Sequence, residues 1–157
     1  MERRLAMTEE RVTINILNWL EHNGWKIICH DFPQSGTGTL LHKNTDKNRT
    51  EKNKWGIIPD ILATRNSIAL FFENKDRFVL SDFRKLKEIK ETGNYSNSLN
   101  TIFAAHTVTS IFYGIGIPEN DKYINKSLQH IDAIDFLVST NEAGVVYINY
   151  NKYDILP

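Results

Sequence analysis

The stretch GIIPDILATRNSIALFFENK, residues 56–75, decides how the chain is read. Two apolar runs, Ile57 to Leu62 and Ile68 to Phe72, flank the polar turn Thr64-Arg65-Asn66-Ser67. Apolar runs joined by so tight a turn predict an antiparallel hairpin, with strands over residues 57–63 and 67–73. Both runs are interrupted by polar residues. Pro59 and Asp60 sit inside the first, and the second ends abruptly in Glu73, Asn74 and Lys75. Side chains two apart on a strand share a face, so Glu73 and Lys75 project together, and the hairpin partner brings Asp60 alongside them. A carboxylate flanked by apolar residues on both sides is costly to bury unless its charge is compensated.

Outward from the hairpin, the pattern predicts a single α/β domain over residues 1–157, a mixed β-sheet flanked by helices. Residues 8–22 form a first helix: Thr8 suits the N-cap, and Glu9 and Glu10 suit the positive end of the dipole. Val12, Ile16, Leu17, Trp19 and Leu20 make its apolar side, and Asn23-Gly24 stops it. Residues 25–32 alternate as a strand, and residues 33–55 form a long polar loop. A second helix spans residues 81–91 with Phe83, Leu86 and Ile89 inward. Its charged residues Asp82, Arg84, Lys85, Lys87, Glu88, Lys90 and Glu91 read as a solvated face. Further strands are expected over residues 100–108, 109–118 and 144–150, and a short helix over residues 130–140. On this reading the core is residues 8–108 and residues 109–157 are a C-terminal extension.

Composition narrows the class. At 157 residues, 41% hydrophobic and 24% charged, the chain can bury a core and is unlike a disordered one. Its net charge is zero, so any attraction to a polyanion has to be local. Cys29 is the single cysteine, which excludes an intrachain disulfide and a CxxC metal site and is expected to be a buried, inert thiol. The first residues lack the apolar stretch of an export signal, and no apolar run is long enough for a membrane span. The expected location is cytoplasmic.

Two carboxylates and an ammonium at the end of a sheet suggest chemistry. Hard oxygen ligands of this kind suit Mg²⁺, with Mn²⁺ as a substitute, and the ammonium suits a water that attacks phosphorus. The pattern Pro59-Asp60, twelve residues, then Glu73-Asn74-Lys75 resembles the PD-(D/E)XK nuclease superfamily, which includes many type II restriction endonucleases and the archaeal Holliday-junction resolvases. The resemblance covers roughly residues 8–108 and implies a restriction-endonuclease-like core. It also implies that Asp60 and Glu73 bind Mg²⁺, helped by the backbone carbonyl of Asn74, and that Lys75 acts on the attacking water. The middle position of the triplet is often apolar in that superfamily, so Asn74 is a departure. Many members add an acidic residue from the first helix. Glu9 lies near the centre of the Val12, Ile16, Leu20 face and Glu10 at its edge, which makes Glu9 the foremost candidate.

The polar loop fits a DNA partner. Ser35, Gly36 and Thr37 offer small residues and exposed amides to a phosphate. Lys43, Lys47, Arg49, Lys52 and Lys54 stand against Asp46 and Glu51, a local net charge of +3 in a neutral chain. The function expected from the resemblance is a Mg²⁺-dependent endonuclease cutting double-stranded DNA, foremost a type II restriction endonuclease or its small subunit. The alternatives are a structure-selective resolvase and a catalytically silent DNA-binding module of the same fold. Cutting both strands takes two sites, so a homodimer or a complex with a larger subunit is expected.

Overall fold

Thr8 caps α1, Glu9–His22, as its side-chain oxygen accepts from the Arg11 N–H, and Val12, Ile16, Leu17 and Leu20 become its buried side. The computed structural model describes residues 6–31, 39–44 and 56–157. After α1 come β1 (Lys26–His30), β2 (Ile61–Arg65) and β3 (Ile68–Asn74), then α2 (Leu80–Thr92) and α3 (Ser96–Phe103). The chain continues through β4 (Ser110–Pro118), α4 (Asp121–Leu128), a 3-10 turn at Ile131–Ala133, β5 (Phe136–Thr140) and β6 (Val146–Asn151). The six strands form one mixed sheet in the order β1-β2-β3-β4-β5-β6. β1, β2 and β3 pair antiparallel, β3, β4 and β5 pair parallel, and β6 returns antiparallel on β5. The α/β class, the mixed sheet and the flanking helices are those expected from the sequence, and no helix of the described residues is long and apolar enough to cross a membrane.

Strand alternation sorts the core into two layers. Leu70 and Phe72 of β3 join Ile61, Ala63, Phe136 and Val138 beneath α1. Ala69 and Phe71 face the other way, with Leu62, Ile115 and Ile117, beneath Phe83, Leu86 and Ile89 of α2 and Leu99 and Phe103 of α3. The continued alternation directs Glu73 and Asp60 to the α2 side and Asn74 to the α1 side.

Several expectations are corrected. The first hairpin strand begins at Ile61 rather than Ile57, because Pro59 has no N–H to give a ladder. Ahead of it Ile57 makes an isolated bridge to Leu41. Residues 100–108 are not a strand: Tyr95, Leu99 and Phe103 recur at helical spacing and pack α3 into the α2 layer. Residues 130–140 hold a single 3-10 turn and then β5, all five of whose residues are buried, which hides the strand's alternation. β4 pairs with β3 along its length, so residues after 109 continue the sheet and supply three of its six strands. Cys29 is half-buried rather than buried, and burial pushes its thiol pKa up.

Close packing in the α1 layer depends on two glycines of β4. A Cβ at Gly114 would stand 2.1 Å from the Phe136 ring, which packs against Phe72 at a centroid distance of 4.7 Å. Gly114→Ala is therefore expected to destabilise the fold by about 1–3 kcal/mol through overpacking, read as a lower urea midpoint with an unchanged slope.

Candidate active site

The hairpin register sets the site. Ile61 pairs with Phe72, so Asp60 and Glu73 come next across the same two strands, on the α2 side. The Asp60 N–H donates to the Phe72 carbonyl at 3.1 Å, and the Asn74 N–H donates to Asp60 Oδ2 at 2.7 Å. That second bond holds the carboxylate against the end of β3. Lys75 follows directly, its N–H donating to the Gly116 carbonyl of β4 at 3.0 Å, and its Nζ lies 3.4 Å from Glu9 Oε1. Glu9, Asp60, Glu73, Asn74 and Lys75 are thus brought together. Glu10 is exposed, so Glu9 is the first-helix carboxylate that reaches the site.

Asn74 shows why the middle of the triplet is polar here. Its side chain is fully buried on the α1 side, and its Nδ2 donates to Thr13 Oγ1 at 3.1 Å. Thr13 in turn donates to the Glu9 carbonyl at 3.1 Å. The amide therefore ties β3 to the first turn of α1 and fixes where Glu9 begins. Gly116 makes room for it, since a Cβ there would lie 2.4 Å from Asn74 Oδ1.

The second helix contributes two residues that sequence reasoning placed in solvent. Lys85 Nζ lies 2.9 Å from Glu73 Oε1, whose side chain is 4% exposed. The contact is an ion pair without hydrogen-bond alignment, because Oε1 has no hydrogen-bond partner. Asp82 is buried, and its Oδ2 has no partner either. The signal for both was the hydrophobic phase of α2: Asp82 and Lys85 flank Phe83 and Leu86, the residues that face the sheet. Lys87 and Lys90 are likewise paired, with Asp132 at 3.0 Å and the buried Asp135 at 2.6 Å.

Charge is concentrated here in a dry setting. Burial, then the neighbouring Glu73 charge, pushes the Asp60 carboxyl up to about 8, although the Asn74 N–H opposes the shift. Burial raises Glu73 as well, against the pull of Lys85. Asp82 is raised by burial against Lys75, Lys85 and Arg77. For Lys75, partial burial favours the neutral amine, but Asp82, Glu9, Glu73 and Asp60 together outweigh it and its pKa is raised. Lys75 is accordingly a cation at neutral pH.

The donor set suits a small divalent cation. Asp60 and Glu73 are oxygen ligands sharing one face, an oxygen of Glu73 lacks a hydrogen bond, and each carboxylate resists ionisation until positive charge arrives. Among the described residues, no group of three or more His, Cys, Asp or Glu side chains converges into a ready-made metal cage. Mg²⁺ does not require one, as it keeps several waters and takes one or two carboxylates. Beside the site, a groove of about 750 Å³ runs over the ends of β4 and β5, and its charged lining residues Asp76, Glu119, Asp121 and Glu142 are all acidic.

Of the residues expected to meet DNA, Ser35, Gly36, Thr37, Lys47, Arg49, Lys52 and Lys54 lie outside the described residues. Lys43 is described and half-buried. Its neighbour Asn44 is committed to the α2–α3 junction: Nδ2 donates to the Gly93 carbonyl at 3.1 Å and Ser96 Oγ at 3.0 Å, and Oδ1 accepts from the Asn97 N–H at 2.9 Å.

No protein-family model and no curated protein matches the chain in sequence. Among solved structures, it is similar to an XisH family protein from Nostoc punctiforme, at 11% identity and a TM-score of 0.40, covering 87% of this chain and 95% of that one.

The raised Asp60 pKa has a stability consequence. Between about 4 and about 8 the folded protein keeps a proton that the unfolded chain has lost, so metal-free stability falls as pH rises through that window. Asp60→Asn removes this cost and can still accept the Asn74 N–H. Thermal melts without metal should show the variant more stable than the parent, by a gap that opens from pH 4 and reaches a few kcal/mol, as an order of magnitude, near pH 8. A gap that closes with rising pH would contradict the assignment.

Proposed function

We propose that this protein is a Mg²⁺-dependent DNA endonuclease, foremost one of the restriction type acting on double-stranded DNA. The observation that carries the reading is the pairing of Asp60 and Glu73 on one face at the end of β3, with the cationic Lys75 immediately beyond. A purely structural ion pair does not account for two neighbouring carboxylates whose pKa values are both raised by burial, Asp60 further by the Glu73 charge. Asp60, Glu73 and the Asn74 carbonyl would hold the metal ion, which when bound supplies Lewis-acid stabilisation of charge on the scissile phosphate and lowers the pKa of water.

The chain's own residues divide the remaining work. The Asn74 N–H fixes the Asp60 carboxylate, leaving its other oxygen for the ion. Lys75 stays protonated, so it serves as a hydrogen-bond donor and positive charge that orients water and stabilises the phosphorane-like transition state, not as a base. Glu9 restrains the Lys75 ammonium from the α1 side. The acidic groove over β4 and β5 repels phosphates, so a duplex approaches from the β2 and α2 side. Double-strand cleavage by this single site calls for a dimer or a larger partner subunit.

Purified protein incubated with supercoiled plasmid and Mg²⁺ tests the proposal, with nicked or linear product expected. Lys75→Ala should lower the rate by about 10²–10³-fold while binding in Ca²⁺ persists. Discrete fragments indicate sequence-specific cutting, and selective cutting of four-way junctions indicates a resolvase. Binding of DNA with no cleavage under Mg²⁺ or Mn²⁺ would leave the silent DNA-binding module instead.

A further inference from the structure

Lys85 occupies an odd position. Its ammonium lies 2.9 Å from Glu73 Oε1, the oxygen of the most deeply buried carboxylate in the site, and the two do not form an aligned hydrogen bond. A long, partly exposed lysine at 34% side-chain exposure thus supplies the positive charge at the place where a metal ligand is needed. Three residues earlier on the same helix, Asp82 Oδ2 is buried without a partner. Residues three apart on a helix are neighbours, so the Lys85 ammonium can reach Asp82 by rotating its side chain. Of the six buried side-chain polar atoms without a hydrogen bond among the described residues, two are these carboxylate oxygens, and the Lys85 charge acts on both residues.

We infer that Lys85 is a resident counter-cation for Glu73 that a divalent ion displaces, and that Asp82 receives the displaced ammonium. The inference rests on the metal-binding reading of Asp60 and Glu73. Lys85 is thereby a positioning residue: in the metal-free protein it pairs with Glu73 from α2, and it sets the threshold concentration at which metal enters. Asp82 lowers that threshold by offering the ammonium a second partner. Other charges around the pair act on both positions: Lys75 and Arg77 also face Asp82, and Lys75 faces Glu73. Removal of Lys85 alone therefore leaves neither carboxylate without a nearby cation.

Binding of Mn²⁺ to the DNA-free protein, followed by electron paramagnetic resonance of the free ion, separates the possibilities without any reaction. Lys85→Met should bind Mn²⁺ more tightly than the parent, by roughly tenfold. Asp82→Asn should bind it several-fold more weakly, and that loss should vanish when Asp82→Asn is combined with Lys85→Met. Melting curves in the same buffer establish that each variant is folded, and Lys85→Gln repeats the test with a polar side chain. If both Lys85 variants bind as the parent does, or more weakly, the displacement is wrong while the metal site stands. If Asp82→Asn weakens binding equally without Lys85, Asp82 ligates the ion directly and the receiving role falls. If the parent binds no Mn²⁺ and Glu73→Gln changes nothing, the metal reading fails and takes this inference with it.

Discussion

A carboxylate that is almost wholly withdrawn from water, with a second one beside it, is the constraint on which this molecule is organised. Glu73 is 3% exposed and Asp60 is its neighbour across the hairpin. Two such groups cannot both be charged in an apolar layer without compensation. The compensation comes from every direction the fold allows. A backbone N–H bonds to Asp60, Lys75 stands beyond the strand end, and Lys85 reaches down from α2. What would be a defect in an ordinary core is here the reason that three elements converge.

The parity of β3 divides the labour between the two layers. Glu73 turns toward α2 and finds a cation, whereas Asn74 turns toward α1 and finds Thr13. One residue therefore does two things: its N–H fixes Asp60 on one side of the sheet while its amide positions the start of α1 on the other. An apolar side chain at position 74 could keep the first role and would lose the second. Gly116 of β4 follows from the same arrangement, because it leaves the volume that the amide fills.

Much of this was legible in the sequence, for physical reasons that differ by element. α1 declared itself through its cap and 3.6-residue periodicity, and the hairpin through its turn. The spacing of Asp60, Glu73 and Lys75 carried the candidate site, because period-two geometry converts sequence distance directly into a shared face. Strand β5 was not legible: a strand buried on both faces shows no alternation, and Ile131 and Ile134 ahead of it imitate a helix. Helix α3 was missed for the converse reason, as Ile102, Phe103 and two alanines imitate a buried strand. Asp82 and Lys85 escaped because charged residues at the margin of a helix's apolar side are ambiguous until the partner surface is known. The polar middle of the triplet was visible, but its meaning was not, since Thr13 lies far away in sequence.

The attachment of α1 also dictates when the site comes into being. Asn15 donates from its Nδ2 to Thr140 Oγ1 at 3.1 Å and to the Asn141 carbonyl at 2.9 Å, a link spanning some 125 residues of chain. Beneath the same helix lie Phe136 and Val138 of β5. A nascent chain emerging from the ribosome therefore carries its carboxylates and Lys75 long before it has the last of the strands against which α1 packs. Until β5 has been made and has paired, α1 has only the Asn74–Thr13 tie and the earlier strands to hold it, and lacks the Asn15 anchor. The packing of α1 is completed only when residues 136–141, far along the chain, have closed against it.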